Sequence, residues 1–543
     1  MKALAGFRLR LRQLGETHHR FADLVRRERK LLVLAGIALI GEIAMQLATA
    51  LPIKYLVDGL LVPSGKSLFL VPDGYPRAHP VQFVLWVCGF LLASTILATT
   101  LSYFRQVWSA IAGQRMVLRL RKQLYSHLQR LSLRFHRDSR HGDLIARIVG
   151  DIPALRDILS ETLIDLTGRL GLAVSTLVIL FVIDPILASV AVATLIAVLA
   201  ISTLFGRKIT KVARRQRQKE GMVAHTAGET LASVALVKAF QAEDVLVQRF
   251  SRQNRAAMRR GVEGTRLQAS LSRYVEICFA VGTSVVLAVG VLRVYETAAM
   301  SAGTLLMFIS FVNRLNKPLR KLSRASASIG KAAACGERIA EILSTEPEEI
   351  DAPDAVDAPP LAGAIEFRGV GFSHVADVAV LRDLDLSIDA GERVALVGEN
   401  GAGKTTLIHL LLRFYEPDEG TLLYDGHESR KLTIASLRRQ ISLALQETLL
   451  FGTTIIENLR LAAPDATEEE VAAALETVGA RFVDELPDGL DTELAEGGKN
   501  FSGGERRKIA LAGAILRPGA ILILDEPTTH IDAGARDDLV HRF

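Results

Sequence analysis

Three cysteines, Cys88, Cys278 and Cys335, are all that a chain of 543 residues supplies. They lie far apart, with no histidine at metal-ligand spacing. That excludes a disulfide scaffold and argues against a zinc site, so each reads as a small buried apolar residue. No cleavable leader is expected either. The N-terminal arm MKALAGFRLRLRQLGETHHRFADLVRRERK is strongly basic, and the apolar run after it is long enough to span a bilayer. Charge is not evenly spread. Residues 1–363 carry 47 Lys+Arg against 28 Asp+Glu, whereas 364–543 carry 18 against 31, so a basic module is joined to an acidic one that faces different surroundings. The length itself predicts two to four domains.

What the basic part does have is apolar runs: Leu31 to about Ala50, Val81–Leu101, Leu163–Ile183, Pro185–Phe205, Val275–Val294, and Gly303 to about Val312 with its continuation. About 20 helical residues cross a hydrocarbon core of roughly 30 Å, and the first five runs have that length. The sixth is shorter and broken by Asn313, Arg314 and Asn316. It is counted as a span because an odd number would leave the two ends of the chain on opposite sides. Charged groups within spans are costly and face a cavity or a partner. The candidates are Glu42 and Gln46 in the first run, Asp165 and Arg169 in the third, Glu276 in the fifth and Arg314 in the sixth. Glu42 sits deepest, so it and Gln46 are the residues expected to line a substrate cavity.

Lys and Arg collect in the N-terminal arm, in Tyr103–Glu161 and in Arg207–Arg273, while Asp58–Pro80, Asp184 and Tyr295–Ala302 are short and nearly neutral. This asymmetry predicts a multi-pass protein of the cell (inner) membrane with both termini and the two long loops in the cytoplasm. Apolar residues recur at helical spacing through Val107, Ile111, Val117, Leu120, Leu124, Leu128 and Leu131, and again around Val223–Val247. The spans are therefore expected to continue as helices into the cytoplasm and to turn at FHRDSRHGDL and at AGETLASVALVKAF. Hairpins of that length need something to dock against.

Residues 344–363, acidic and rich in proline, read as a linker. Beyond them, AIEFRGVGF, LDLSI, RVALVG and AILILDE read as strands, interleaved with helical stretches such as Thr405–Phe414 and Ile509–Leu516. That alternation predicts an α/β layer with a parallel sheet. Gly398-Glu399-Asn400-Gly401-Ala402-Gly403-Lys404-Thr405, followed by Thr406, fits G-x-x-x-x-G-K-[ST] between an apolar run and a helical one. Glycines let the backbone curl so that its N–H groups point at phosphate oxygens. Lys404 adds a mobile charge for the β- and γ-phosphates, and the Thr405 hydroxyl can ligate Mg2+. Farther along, the apolar ILIL delivers Asp525 and then Glu526. The first can hold the Mg2+ shell, and the second can orient or deprotonate an attacking water.

Five further segments carry a family resemblance. Phe501-Ser502-Gly503-Gly504-Glu505 before RRKIALAGAIL resembles the signature of ATP-binding-cassette (ABC) proteins. LALQETLLFGTTIIENL resembles their Q-loop, with Gln446 at the glutamine, where it would be a catalytic and Mg2+-shell residue. Thr492-Glu493…Glu496-Gly497-Gly498 resembles the short loop that precedes the signature in exporters, and Thr529-His530-Ile531-Asp532 stands where the family has its D-loop. FHRDSRHGDLIARIVGD is similar to the first cytoplasmic turn of that group. The resemblance covers essentially the whole chain and implies a half-transporter of the exporter type. It would have an all-α six-helix transmembrane domain (31–343, after a basic arm 1–30), the linker 344–363, and an α/β P-loop NTPase nucleotide-binding domain (364–543). It also implies two such subunits, a homodimer more readily than a heterodimer, with two ATP molecules sandwiched between the phosphate loop of one and Ser502, Gly503, Gly504 and Glu505 of the other. The turns near Asp138–Asp143 and Glu229–Ala239 would carry the switch to the spans.

The chain departs from the family in three places. His374 in GFSHVADVAVL stands where a tyrosine usually stacks on adenine, and Glu505 replaces a glutamine. The family continues past the D-loop with a core strand and a γ-phosphate-contacting histidine. This sequence reaches Phe543 only eleven residues beyond Asp532, and His541 comes too early to be that residue. The expectation is a C-terminally truncated chain with an unpaired apolar sheet edge. The function implied is ATP-driven export or flipping of an amphipathic substrate such as a lipid, drug or peptide. An importer of the same architecture, or an ATPase-impaired regulatory subunit, remains the alternative. The partners expected are the lipid bilayer, a second subunit and the transported substrate; no nucleic acid is expected.

Overall fold

The computed structural model describes residues 22–61, 75–139, 141–157, 160, 163–295, 300–315, 332–347, 351–375, 378–446 and 450–529. The chain divides into two compact units: residues 1–128 with 141–344, and residues 129–140 with 345–543.

The first unit is helical. A hydrocarbon layer offers nothing for a peptide group to hydrogen-bond, so each spanning segment must satisfy its backbone internally. Helices α1 (Arg29–Ala48, continued by short helical turns to Leu61), α2 (Pro80–Leu128), α3 (Leu163–Ile183), α4 (Pro185–Ala232) and α5 (Glu243–Tyr295) are long and apolar enough to cross a membrane. α2, α4 and α5 have 49, 48 and 53 residues. At 1.5 Å per residue that is about 70–80 Å, more than twice the roughly 30 Å hydrocarbon thickness. The excess runs through the apolar positions at helical spacing. Val117, Leu120, Leu124 and Leu128 are all buried along the extension of α2.

The sixth expected span is described only in part. The described helix α6 (Ala302–Arg314) has 13 residues, too few to cross by itself, and its continuation from residue 316 lies outside the described residues. The cysteines differ from expectation as well: Cys335 is buried, Cys278 partly so, and Cys88 is exposed. In a spanning helix the outer solvent is lipid, so an apolar side chain such as Cys88 has no need to be covered by protein. Trp86 (74% exposed) and Val182 (80%) show the same inversion.

Carboxylates fix how the spans connect. Asp184 caps α4, its Oδ1 accepting from the Ile186 and Leu187 amides at 2.9 and 3.0 Å with Pro185 at the first helical position. Its Oδ2 pairs with Arg293 of α5 at 2.9 Å. Asp58, at the end of the first span, accepts from Ser301 Oγ (2.5 Å) and the Gly303 amide (2.8 Å). The start of α6 is thereby latched to the end of α1. A Cβ at Gly303 would sit 2.6 Å from Asp58 Oδ1, so glycine is required there.

The second unit holds two sheets. β1 (Ile365–Val375), β2 (Val378–Ile388), β3 (Glu419–Tyr424) and β4 (His427–Glu428) form an antiparallel sheet in the order β2-β1-β3-β4. β5 (Ile441–Ala444) and β6 (Ile521–Leu524) form a parallel pair, Ile441 opposite Ile521 and Ala444 opposite Leu524. Two expectations are corrected here. The segments AIEFRGVGF and LDLSI belong to the antiparallel sheet, because a tight connection can return a neighbouring strand only antiparallel. RVALVG is not a strand: residues 392–399 are unpaired, and Val394, Leu396 and Val397 are 43%, 41% and 90% exposed. An apolar run becomes a strand only when a neighbour completes its ladder, and among the described residues β6 pairs with β5 alone.

Residues 351–363, in the stretch expected to be a linker, form neither helix nor strand and are sewn to the second unit. Val356 bridges Leu432, the Ala358 amide donates to Ser436 Oγ, and Asp425 accepts from the amides of Ala362 and Ala364. One apolar core gathers Ile365, Phe367, Leu407, Tyr424, Ile441 and Ile523, and a second gathers Ile455, Val471, Phe501, Ile509 and Leu511.

Gly420 turns into β3 at φ +77°, where a Cβ would approach the carbonyl oxygens of Gly369 and Arg368 to 2.3 and 2.4 Å. A Gly420→Ala substitution is expected to destabilise the second unit by at least about 2 kcal/mol. That lowers its thermal unfolding midpoint by about 4 °C or more, read by differential scanning fluorimetry of the purified protein.

Candidate functional site

The phosphate loop precedes helix α7 (Lys404–Leu411). Gly401 and Gly403 adopt φ +88° and +92°, and Gly403 is the cap residue of α7. Left-handed backbone at these points turns successive amides toward one concavity at a helix N-terminus, an arrangement suited to anionic oxygens. The Ala402 amide donates to the Glu399 carbonyl at 3.1 Å. The Lys404 ammonium folds back over the loop and donates to the carbonyls of Gly398 (2.7 Å) and Glu399 (2.9 Å), so a phosphate would draw it from neutral acceptors. Gly398, Glu399, Asn400 and Thr405 are exposed, and Thr406 is buried.

The parallel register of β5 and β6 sets the residues after one strand beside the residues after the other. Leu445 and Gln446 leave β5 next to Asp525 and Glu526 leaving β6, and the Asp525 amide donates to the Ala444 carbonyl at 2.9 Å. Leu407, Ile408 and Leu411 of α7 share an apolar core with Ile441, Ile521 and Ile523. The phosphate-loop helix therefore lies against the sheet whose ends carry Gln446 and Asp525. Gln446 is exposed and Asp525 half-buried. Glu526 is held at φ +49°, an uncommon conformation for a non-glycine residue. Its carboxylate accepts from the Thr529 hydroxyl at 3.1 Å.

Arg507 is a site residue that no sequence motif singles out. Only 2% exposed, it donates to the carbonyls of Leu445, Asp525 and Pro527. One guanidinium thus ties the segment bearing Gln446 to the segment bearing Asp525 and Glu526. Its position within RRKIALAGAIL is visible in the sequence, but its burial is not.

Ser502 caps helix α8 (Gly503–Leu516). Its hydroxyl accepts from the Glu505 amide (3.2 Å), and Glu505 Oε2 accepts from the Ser502 amide (2.7 Å). Glu505, a departure from the family glutamine, therefore completes a capping box, in which either side chain serves. Phe501 is buried in the second core, which fixes the signature segment while Ser502 stays exposed. The loop before it is tied on both sides: Glu493 bridges Thr454, and Arg506 donates to the Gly497 carbonyl at 3.2 Å. Asp532 lies outside the described residues.

His374 Nε2 is 3.2 Å from Thr406 Oγ1, and Nδ1 is 3.4 Å from Arg137 Nη1. Since arginine only donates, Nδ1 is the acceptor and the proton sits on Nε2. Phe372 and Tyr415 meet the imidazole edge-on at 4.9 and 5.2 Å. Burial first, and then the charges of Arg137 and Arg134, hold this histidine below its ordinary value. Thr406 thus serves His374, while Thr405 is the more accessible hydroxyl.

In the first unit, Glu42 is buried with both oxygens engaged: Oε2 accepts from Arg105 Nε at 2.7 Å, and Oε1 from Gln46 Nε2 at 3.1 Å. Asp165 and Arg169 pair with each other one helical turn apart, at 2.7 and 2.8 Å.

Comparison with known proteins agrees in both units. Residues 32–319 match the family model of the ABC transporter transmembrane region, and 381–529 that of the ABC transporter. The chain is 31% identical to the ATP-dependent lipid A-core flippase of Syntrophus aciditrophicus (strain SB) over 84% of its own length and 75% of that protein's. It is 29% identical to a putative multidrug export ATP-binding/permease protein of Bacillus subtilis (strain 168), over 94% and 87%. Its fold resembles the structure of a bacterial Atm1-family ABC exporter with ATP bound, at a TM-score of 0.77 and 24% identity, covering 95% of this chain and 88% of that one.

Because the folded state favours the neutral His374 imidazole, its stabilising effect is complete above the ordinary histidine value of about 6.5 and is lost as pH falls through the lowered one. Arg137→Gln removes one of the charges opposing protonation, so the His374 titration is expected to move upward. Imidazole proton NMR of wild type and variant checks this, and an unmoved titration would contradict it.

Proposed function

This chain belongs to the ABC transporter family, its transmembrane region and its cassette lying in one polypeptide, and from that premise we propose a half-transporter that exports or flips an amphipathic substrate through ATP-driven pairing of two cassettes. It is a multi-pass membrane protein with its nucleotide-binding module in the cytoplasm. The observation that carries the reading is the β5–β6 register, which puts Gln446, Asp525 and Glu526 at one end of the sheet on which the phosphate-loop helix packs. That is the placement a nucleoside triphosphate needs.

ATP fits the donor set. The loop's curled amides and Lys404 suit the phosphates, and His374, its tautomer set by Thr406 and Arg137, offers a flat face for the base. Mg2+ fits as well. Thr405, Gln446 and Asp525 are all oxygen donors, with a single carboxylate, which suits a hard cation that keeps phosphate and water ligands. When bound, it would offset charge on the phosphates. Glu526 orients the attacking water and accepts its proton. The strained backbone and the Thr529 hydroxyl hold its carboxylate at one position. Ser502, Gly503 and Gly504 of a second subunit would close the site over the γ-phosphate from a helix N-terminus, so ATP joins two cassettes where ADP does not. Twofold symmetry makes a homodimer the simplest assembly. Asp532 would belong to the same interface.

The lipid A-core flippase and the multidrug export protein among its relatives support an amphipathic cargo. In proteoliposomes, Glu526→Gln is expected to lower ATP turnover by about 10²–10⁴-fold with nucleotide binding retained. Unchanged turnover would refute the assignment of Glu526. Movement of cargo into inside-out vesicles on ATP addition, rather than out of them, is the direction expected of an exporter.

A further inference from the structure

Three arginines of the spanning helices each face a carboxylate. Arg105 meets Glu42 at 2.7 Å, Arg169 meets Asp165 at 2.7 Å, and Arg293 meets Asp184 at 2.9 Å. Arg314, at the end of α6, has only neutral contacts among the described residues. Nη1 donates to the Gln46 carbonyl, Nη2 donates to Thr49 Oγ1 at 2.8 Å, and the guanidinium lies 6.0 Å from the Phe311 ring centroid. The nearest carboxylate in the hydrogen-bonded chain is Glu42, reached through Gln46 and already engaged by Arg105. That network therefore holds two guanidinium charges and one carboxylate.

The sequence shows that the next stretch does not supply the missing anion. From Leu315 to Gly336 there is no Asp or Glu, and Lys317, Arg320, Lys321, Arg324 and Lys331 add only positive charge. Position matters as much as charge. Arg314 is twelve residues along α6 from Ala302, about 18 Å at 1.5 Å per residue, which is more than half of a roughly 30 Å hydrocarbon layer. An arginine without a counter-ion at that depth is expensive and marks a ligand pathway more often than a structural need. A guanidinium has five N–H donors in a planar fork, so donors remain here for an acidic group.

We propose that Arg314 is a binding residue for the acidic head of an anionic amphiphile, one phosphate or carboxylate on an apolar tail. This rests on the transport reading above and names the substrate class it left open. The Gln46 carbonyl and the Thr49 hydroxyl orient the guanidinium. The Glu42–Arg105 pair neutralises itself and leaves the net positive charge on Arg314.

The test is equilibrium binding to the purified full chain in detergent, without nucleotide, of fluorescent phosphatidylglycerol and phosphatidylcholine with identical acyl chains. Wild type is expected to bind the anionic probe about tenfold or more tightly, the strength of a charge-assisted contact. Arg314→Gln should abolish that preference without changing phosphatidylcholine binding. Arg314→Lys should keep most of it, and Thr49→Val, which retains the cation, should keep it too. Equal affinity of wild type for the two probes overturns the proposal, and so does equal weakening of both probes by Arg314→Gln. If inorganic phosphate alone displaces the anionic probe at millimolar concentration, the site is for a free anion and the amphiphile assignment falls. Because binding is read without ATP, failure of ATP-driven transport would sink the transport reading separately.

Discussion

Leu133 packs against the apolar core formed by Ile365, Leu407, Ile441 and Ile523, far along the chain from itself. Residues 129–140 thereby belong to the nucleotide-binding unit, while the chain on either side of them belongs to the helical one. From that turn the chain runs into the extended α2 on one side and the helices from His141 on the other. Through Arg137 the same turn meets His374, the imidazole proposed above to face the base. His374 therefore differs from a tyrosine in more than its ring face. It has a second ring nitrogen through which the cytoplasmic turn fixes its tautomer.

The helical unit obeys a complementary rule. Its solvent is apolar, so side chains such as Trp86 and Val182 can face outward, and the demanding groups are the charged ones. Asp184 with Arg293, Glu42 with Arg105, and Asp165 with Arg169 each satisfy a charge locally. The first two pairs also bind one helix to another. Partnering a charge in low dielectric matters because leaving one partner alone is strongly destabilising. Against that background Arg314 stands apart.

Much of this was legible in the sequence because it depends on local pattern. Spans follow from apolar length, their cytoplasmic extensions from apolar spacing, the phosphate loop from glycines followed by Lys404, and the α8 cap from Ser502 and Glu505 three residues apart. Partners were not legible. Glu42 reads as a deep, lone carboxylate suited to a cavity, but its oxygens are taken by Arg105 and Gln46, and no spacing rule connects it to Arg105. RVALVG reads as a strand from composition, but a strand is defined by a neighbour, and none of the described strands pairs with it. Arg507 looks like one more basic residue after the signature until its burial against three carbonyls is seen.

By itself, then, the sequence determined the two-module organisation, the number of long apolar segments and the glycine–lysine pattern of the phosphate loop, since these are properties of composition and short-range pattern. Only the tertiary structure decided that the first four strands pair antiparallel, that parallel β5 and β6 bring Gln446 beside Glu526, and that Arg137 sets the proton of His374. It also decided that Arg314, unlike Arg105, Arg169 and Arg293, meets no carboxylate among the described residues. Those are contacts between residues distant in the chain, and their energies depend on burial and direction, which a linear pattern does not encode.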